Sequence, residues 1–372
     1  MNMRARDLGI VVGTGTPGPN NAITDVEGVL VGHTTLIDGD GPLVIGQGPV
    51  RTGVTMIVPH NGRVGEEPLF AGAHRLNGNG ELTGLEWIRE SGMLTTPIGI
   101  TNTHSVGIVR DAIISAEVRD REAGGVYWSL PVVGETWDGA LNDINGMHVR
   151  AEHALAALDA AAAGPVAEGC VGGGTGMICH EFKGGIGTAS RVVGADDGGY
   201  TVGVLVQANH GERSRFSVNG VPVGREITAD EVPVLPDEPI DGAGSIIVIV
   251  ATDAPLIPTQ CDRLAQRAGL GIARVGGLGG HTSGDIFLCF ATGNEGLVSS
   301  YKLDDPTLSV SLRMLSNNHI TALFEATVEA TEEAILNAMV AATTTTGING
   351  NTVYALPHDR LLEVMEKYTP HE

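Results

Sequence analysis

Cysteine is scarce in this chain. Only Cys170, Cys179, Cys261 and Cys289 occur among 372 residues, with no C-x-x-C pair and no zinc-ligand spacing. Cys261 and Cys289 lie in apolar segments and are expected as core thiols. Positive charge is short as well: 22 Lys and Arg face 44 Asp and Glu, a formal charge of −22. Such a field argues against nucleic acid or an anionic membrane as partner and suits a cationic substrate such as an ammonium group. No run reaches the ~18 apolar residues of a membrane span. The N-terminus, Met1 to Asp7, has basic residues but no apolar stretch or cleavage site of a secretory signal. A soluble cytoplasmic protein is expected. Aromatics make up 4%, against 42% apolar residues in all and 54 glycines, a loop-rich α/β composition with ample material for a core.

Several common site motifs are missing. Gly13, Gly15 and Gly18 satisfy G-x-G-x-x-G after an apolar run, Leu8–Val12, expected as a strand. Pro17 and Pro19 prevent the helix that a dinucleotide fingerprint requires, so the segment is expected as a loop. The Gly172–Gly176 stretch is not followed by Gly-Lys-Ser/Thr, and His180-Glu181 lacks the second histidine of H-E-x-x-H. Ala243 stands where G-x-S-x-G needs glycine. No cofactor and no metal are expected.

Strand and helix signals alternate along the whole length. Strands are expected at Val29–His33, Gly53–Pro59, Pro97–Thr101, Gly184–Arg191, Tyr200–Asn209 and Ile286–Phe290. Helices are expected at about 82–91 with Gly92 as C-cap, near 106–118, at Val149–Ala163, and around Cys261, Leu264, Ala265 and Ala268. A last helix is expected to open at Thr331 as N-cap, with Glu332 and Glu333 in its first turn. Residues 212–243 are rich in proline and turns and form the best linker. The alternation predicts one α/β domain with helices covering stacked sheets, and a doubly wound parallel sheet remains open.

The linker delivers the chain to Asp241-Gly-Ala-Gly-Ser245, after which five β-branched residues, Ile246 to Val250, predict a fully buried strand. Gly242 and Gly244 allow strained backbone just before the serine. A serine so placed could attack its own preceding carbonyl and, freed as an N-terminus, use an α-amine that titrates near ~7.7–8.0 as its base. It could equally just open a core strand. Asn209 and the Ser283/Asp285 pair also stand where glycine-bearing loops meet buried strands. Asn209 could donate to an oxyanion, and Asp285 with Ser283 could orient the amine or the hydroxyl proton. Glu135, beside Trp137 and Asp138, is a candidate anion for a substrate ammonium.

Seven stretches carry a resemblance over roughly residues 8 to 360: Asn21 to Val29, Leu76 to Gly84, Thr101 to Gly107, Leu141 to Asn145, Val206 to Asn209, Gly244-Ser245-Ile246 and Ser283-Gly284-Asp285. Together they make the chain similar to the L-aminopeptidase/D-esterase (DmpA-like) family of self-processing aminopeptidases, which includes the β-peptidyl aminopeptidases. The resemblance implies a four-layer α/β/β/α sandwich, Ntn-hydrolase-like in layering but different in connectivity, over a single domain spanning 1–372. It implies cleavage between Gly244 and Ser245, giving an α chain of 1–244 and a β chain of 245–372, and assembly as a homotetramer without a cofactor. By the same resemblance Ser245 is the nucleophile, Asn209 belongs to the oxyanion hole, and Ser283 and Asp285 complete the catalytic group. Glu135 holds the free amino group of a small peptide, amide or ester. Trp137 stands where the family pattern has tyrosine, and Asp285 where some members have glutamate. An acyltransferase of the ornithine acetyltransferase-like type and an inactive binding protein on the same scaffold are the alternatives.

Overall fold

The computed structural model describes residues 3–119, 126–235, 244–299 and 305–369. In chain order the first half comprises β1 (Leu30–Asp38), β2 (Val50–Val58), β3 (Leu69–Arg75), α1 (Leu85–Ser91), β4 (Met93–Leu94), β5 (Ile98–Asn102), α2 (Val106–Arg119), β6 (Val132–Thr136) and α3 (Ala151–Asp159). The second half comprises β7 (Ile178–Cys179), β8 (Phe182–Lys183), β9 (Gly185–Val192), β10 (Thr201–Asn209), α4 (Val223–Glu226), β11 (Ser245–Thr252), α5 (Pro258–Arg274), β12 (Gly284–Ala291), α6 (Ile320–Val340) and α7 (His358–Tyr368).

Two sheets are stacked. One has four strands in the order β1-β2-β5-β6, the other six in the order β4-β3-β12-β11-β10-β9. The two-residue period of a strand explains the layering. Along β11, Ile246, Val248 and Val250 face a cluster shared with α5 and α6, including Leu264, Ala268 and Ile335. Ile247, Ile249 and Ala251 face the other way, onto Ile57, Ile98 and Ile100 of the four-stranded sheet. That sheet turns Val54, Met56 and Val133 outward onto Val109 and Ile113 of α2 and Ala154 and Ala157 of α3. A strand apolar on both faces needs cover on both, and the result is the expected α/β/β/α order.

The mixed pairing excludes a doubly wound parallel sheet. β11 runs antiparallel to β10 and parallel to β12. Apart from Leu8–Val12, the expected strands and the first four helices form, and Gly92 caps α1 in the left-handed conformation with φ 72°. Asp241, Gly242 and Ala243 lie outside the described residues.

Two expected elements fail, and over its described part the 212–243 stretch is no loose linker, since Phe216, Val223 and Ile227 are buried in the core. Leu8–Val12 is no strand: Ala5–Leu8 forms a 3-10 turn, and the next residues run as irregular chain. Ile10 and Val12 are buried and Val11 is exposed, so the alternation is real, but no strand pairs with it. The last long helix opens at Ile320, with Thr331 inside it and donating back to the Thr327 carbonyl at 2.7 Å. Glu333 is not a first-turn acid. It takes Arg191 at 2.6 Å and Arg6 at 2.7 Å, tying the N-terminal segment and β9 to α6. Asn21 adds its amide to Glu333 at 2.5 Å, so the Asn21–Val29 stretch serves the scaffold.

Candidate active site

Three strand ends meet at one edge of the six-stranded sheet. β10 ends on Asn209, β11 begins on Ser245, and Asn209 is the register partner of Ser245. On the other side Ser245 pairs with Gly284, and Ile246 with Asp285. The hydroxyl of Ser245 is buried and accepts the Gly284 N–H at 3.1 Å. Gly244 has φ 147°, and a Cβ there would lie 2.3 Å from the Asn209 carbonyl oxygen. Only glycine fits this approach to the serine.

Asn209 is held by its acceptor end. Its Oδ1 takes the Ile178 N–H at 2.7 Å, and one Nδ2 hydrogen goes to the Trp137 carbonyl at 3.1 Å. An amide nitrogen carries two hydrogens, so one is left to donate. Trp137 therefore positions Asn209 through its backbone, and the residue as a whole is 41% exposed. Ser283 Oγ donates to Asp285 Oδ1 at 2.6 Å. Burial raises the Asp285 carboxyl to about 6, against the pull of the Ser283 hydroxyl and the Ile246 backbone.

The Leu76–Gly84 stretch fastens this corner. The Asp285 N–H donates to Asn77 Oδ1 at 2.7 Å, while Asn77 Nδ2 reaches the Gly280 carbonyl at 2.8 Å. Asn79 Nδ2 holds the Thr282 carbonyl at 2.6 Å. Gly80 fills the gap that follows: a Cβ on it would lie 3.1 Å both from Glu135 Oε1 and from the Cα of Gly284. Glu135, on β6 of the other sheet, thus comes within one residue's width of the strand end that touches Ser245. Its carboxylate accepts the Glu81 N–H at 2.8 Å and the Thr103 hydroxyl. Burial raises its pKa, and those two donors partly offset the shift.

All the expected site residues therefore gather at one corner. Asn77, Asn79, Gly80 and Thr103 had no expected role. Their signal was the Asn-Gly-Asn-Gly run and a threonine following a strand end. Behind Asn209, His180 and His210 are both buried, and burial keeps both imidazoles neutral: that of His180 falls to about 4 and that of His210 well below its usual value.

An α/β/β/α sandwich with a buried serine opening a central strand, flanked by an amide donor and a carboxylate, defines a hydrolase with Ntn-like layering. The chain belongs to peptidase family S58, which matches residues 21–353. It is 50% identical to the beta-peptidyl aminopeptidase BapA of Sphingosinicella microcystinivorans, over 98% of this chain and 92% of that protein. Among solved structures, a Burkholderia sp. beta-aminopeptidase superposes with TM-score 0.91 at 55% identity, covering 100% of both chains. The L-aminopeptidase D-Ala-esterase/amidase of Ochrobactrum anthropi, described as a variant of the Ntn hydrolase fold, gives TM-score 0.88 at 44% identity over 98% of each chain.

Proposed function

We propose that this peptidase is an aminopeptidase that cuts its own Gly244–Ser245 bond and then works through the freed N-terminal serine. The observation that supports this most is Gly244: a conformation only glycine tolerates, directly before a buried hydroxyl, with an amide donor opposite in register. In the first step Ser245 Oγ adds to the Gly244 carbonyl carbon and the peptide C–N bond breaks, leaving an ester and a free Ser245 α-amine. Water then hydrolyses the ester to a Gly244 carboxylate.

In turnover the α-amine takes the Oγ proton as Oγ attacks the substrate carbonyl, and later returns it to the leaving amine. The spare Asn209 Nδ2 hydrogen stabilises the oxyanion. Asp285, steadied by Ser283, orients the charged amine. Glu135 accepts the ammonium of the substrate's first residue, which makes the enzyme an aminopeptidase acting on small peptides, amino-acid amides or esters. The names of the similar proteins support α- or β-amino residues as the released group. A cytoplasmic homotetramer completes the proposal. Exposed apolar Leu43, Val44 and Ile45, and again Leu308, Val310, Leu312 and Met314, support self-association.

Intact mass under denaturing conditions tests the reading. Two fragments meeting at Gly244/Ser245 are expected, and Ser245→Ala should remain one inactive chain of 38.5 kDa. Normal cleavage of that variant would falsify the mechanism. With a competing amine in the assay, hydrolysis should remain the main outcome of the acyl-Ser245 ester; transfer product that dominates over hydrolysis would move the assignment to an acyltransferase.

A further inference from the structure

We propose that Cys179, His180 and His210 form a binding site for a thiophilic divalent cation of the Zn²⁺ class, and that filling it slows hydrolysis. The sequence expectation of no metal rested on spacing, and these residues come from two separate segments. Cys179 ends β7 and His180 follows it in the β7–β8 turn, while His210 follows Asn209 at the end of β10. The segments are joined by the His180 N–H donating to the His210 carbonyl at 2.7 Å.

One ligand atom from each residue lies within 4.8 Å of the others, and all three residues are buried. Cys179 Sγ is 3.8 Å from His210 Nδ1. A tetrahedral zinc ion holds a sulfur and a nitrogen about 3.5 Å apart, so this edge of the site is nearly closed already. His180 Nδ1 lies 3.1 Å from the Glu212 carbonyl. That bond fixes the proton on Nδ1 and leaves the Nε2 lone pair free, as in metal-ligating histidines oriented by a backbone carbonyl. His180 Nε2 is buried and has no hydrogen-bond partner among the described residues. The glycine at 211 leaves the ring room to adjust, since a Cβ there would sit 2.3 Å from His180 Cε1. The metal-free Cys179 side chain is a buried thiol. Loading exchanges the thiol proton for the cation, forming the S–metal bond and releasing one proton to water.

The link to catalysis is the hold on Asn209. Its Oδ1 accepts from Ile178 N–H, the residue before Cys179, and Asn209 itself precedes His210. Drawing Cys179 Sγ and His210 Nδ1 together moves both ends of that bond, and with them the oxyanion donor and the Asn209 carbonyl that touches Gly244.

The test uses the purified, processed protein with CoCl₂ and ZnCl₂ as probes. One equivalent of Co²⁺ should produce a thiolate-to-metal charge-transfer band that Zn²⁺ removes. Zn²⁺ should lower turnover by about ten-fold or more, reversibly with chelator. Cys179→Ala should lose the band and the Zn²⁺ sensitivity while turning over normally without metal. His180→Asn is the second variant, because asparagine tolerates the φ of 49° at this position and its amide can replace the bond to Glu212. It should weaken both responses. Absence of the band from the folded wild type, or equal inhibition of Cys179→Ala, would overturn the proposal. The inhibition arm rests on the aminopeptidase reading, but the band does not. An inactive protein with the band would count against the catalytic reading alone, and the band with undiminished turnover would sink the coupling.

Discussion

At Asp285 burial outweighs hydrogen bonding, and the acid ionises near 6 instead of near ~3.9 as in an unfolded chain. The native state therefore holds this proton longer than the unfolded state does. Stability from this group is present at pH 4 and is lost as pH rises through the interval up to about 6. Asn at 285 cannot ionise. With both proteins kept uncut by Ser245→Ala, the stability of Asp285→Asn relative to its Asp285 parent should grow by roughly 2–3 kcal/mol between pH 4 and pH 7, measured by urea unfolding. Parallel pH curves for the two proteins would show that Asp285 is not the buried acid described. Asn209→Asp separates the two ends of one side chain: the carboxylate still accepts from Ile178 N–H but offers no hydrogen to an oxyanion. A lowered melting temperature, from the lost bond to the Trp137 carbonyl, together with kcat down by about 10²–10³ is expected. An unchanged kcat would remove Asn209 from the oxyanion hole.

On the level of elements, the junction into β11 is where local sequence and function coincide. Gly244→Ala should leave the chain uncut with Ser245 intact, because its Cβ would lie 2.3 Å from the Asn209 carbonyl. Intact mass decides this, and cleavage at the wild-type rate would mean the backbone can relax there. Five β-branched residues after a polar glycine-rich stretch left little choice for β11, so Ser245 at its start was legible. Asn209, Ser283 and Asp285 were legible in the same way, as polar residues at loop–strand junctions. Glu135 was a candidate by its neighbours only. Its approach to Gly284 depends on how two sheets stack, which no local pattern encodes. α6 shows the opposite failure. It is buried along most of its length, so its apolar stripe has no polar opposite face, and Thr331-Glu332-Glu333 mimics a helix start. The threonine is instead satisfied by the carbonyl one turn back, and Glu333 by two arginines. For Leu8–Val12 the alternation is present in the burial of Ile10 and Val12, but strand identity requires a partner edge, and partners lie far away in sequence.

For the molecule as a whole, the proposed cut falls in a revealing place. The six-stranded sheet takes β4, β3, β10 and β9 from residues 1–244, and its two central strands, β12 and β11, from residues 245–372. Each fragment thus holds strands whose partners lie in the other, and both helices covering that sheet, α5 and α6, belong to the second fragment. Cleavage should leave the fragments locked together by two full ladders and a shared core. Gel filtration with light scattering should give co-elution of both fragments in equal amounts, at the mass of four processed chains, with separation only in denaturant. Residues 1–244 expressed alone would expose β3 and β10 as bare edges and should aggregate. A soluble, folded 1–244, or fragments that part under native conditions, would mean that the two pieces are independent units and that the cut divides domains within the chain.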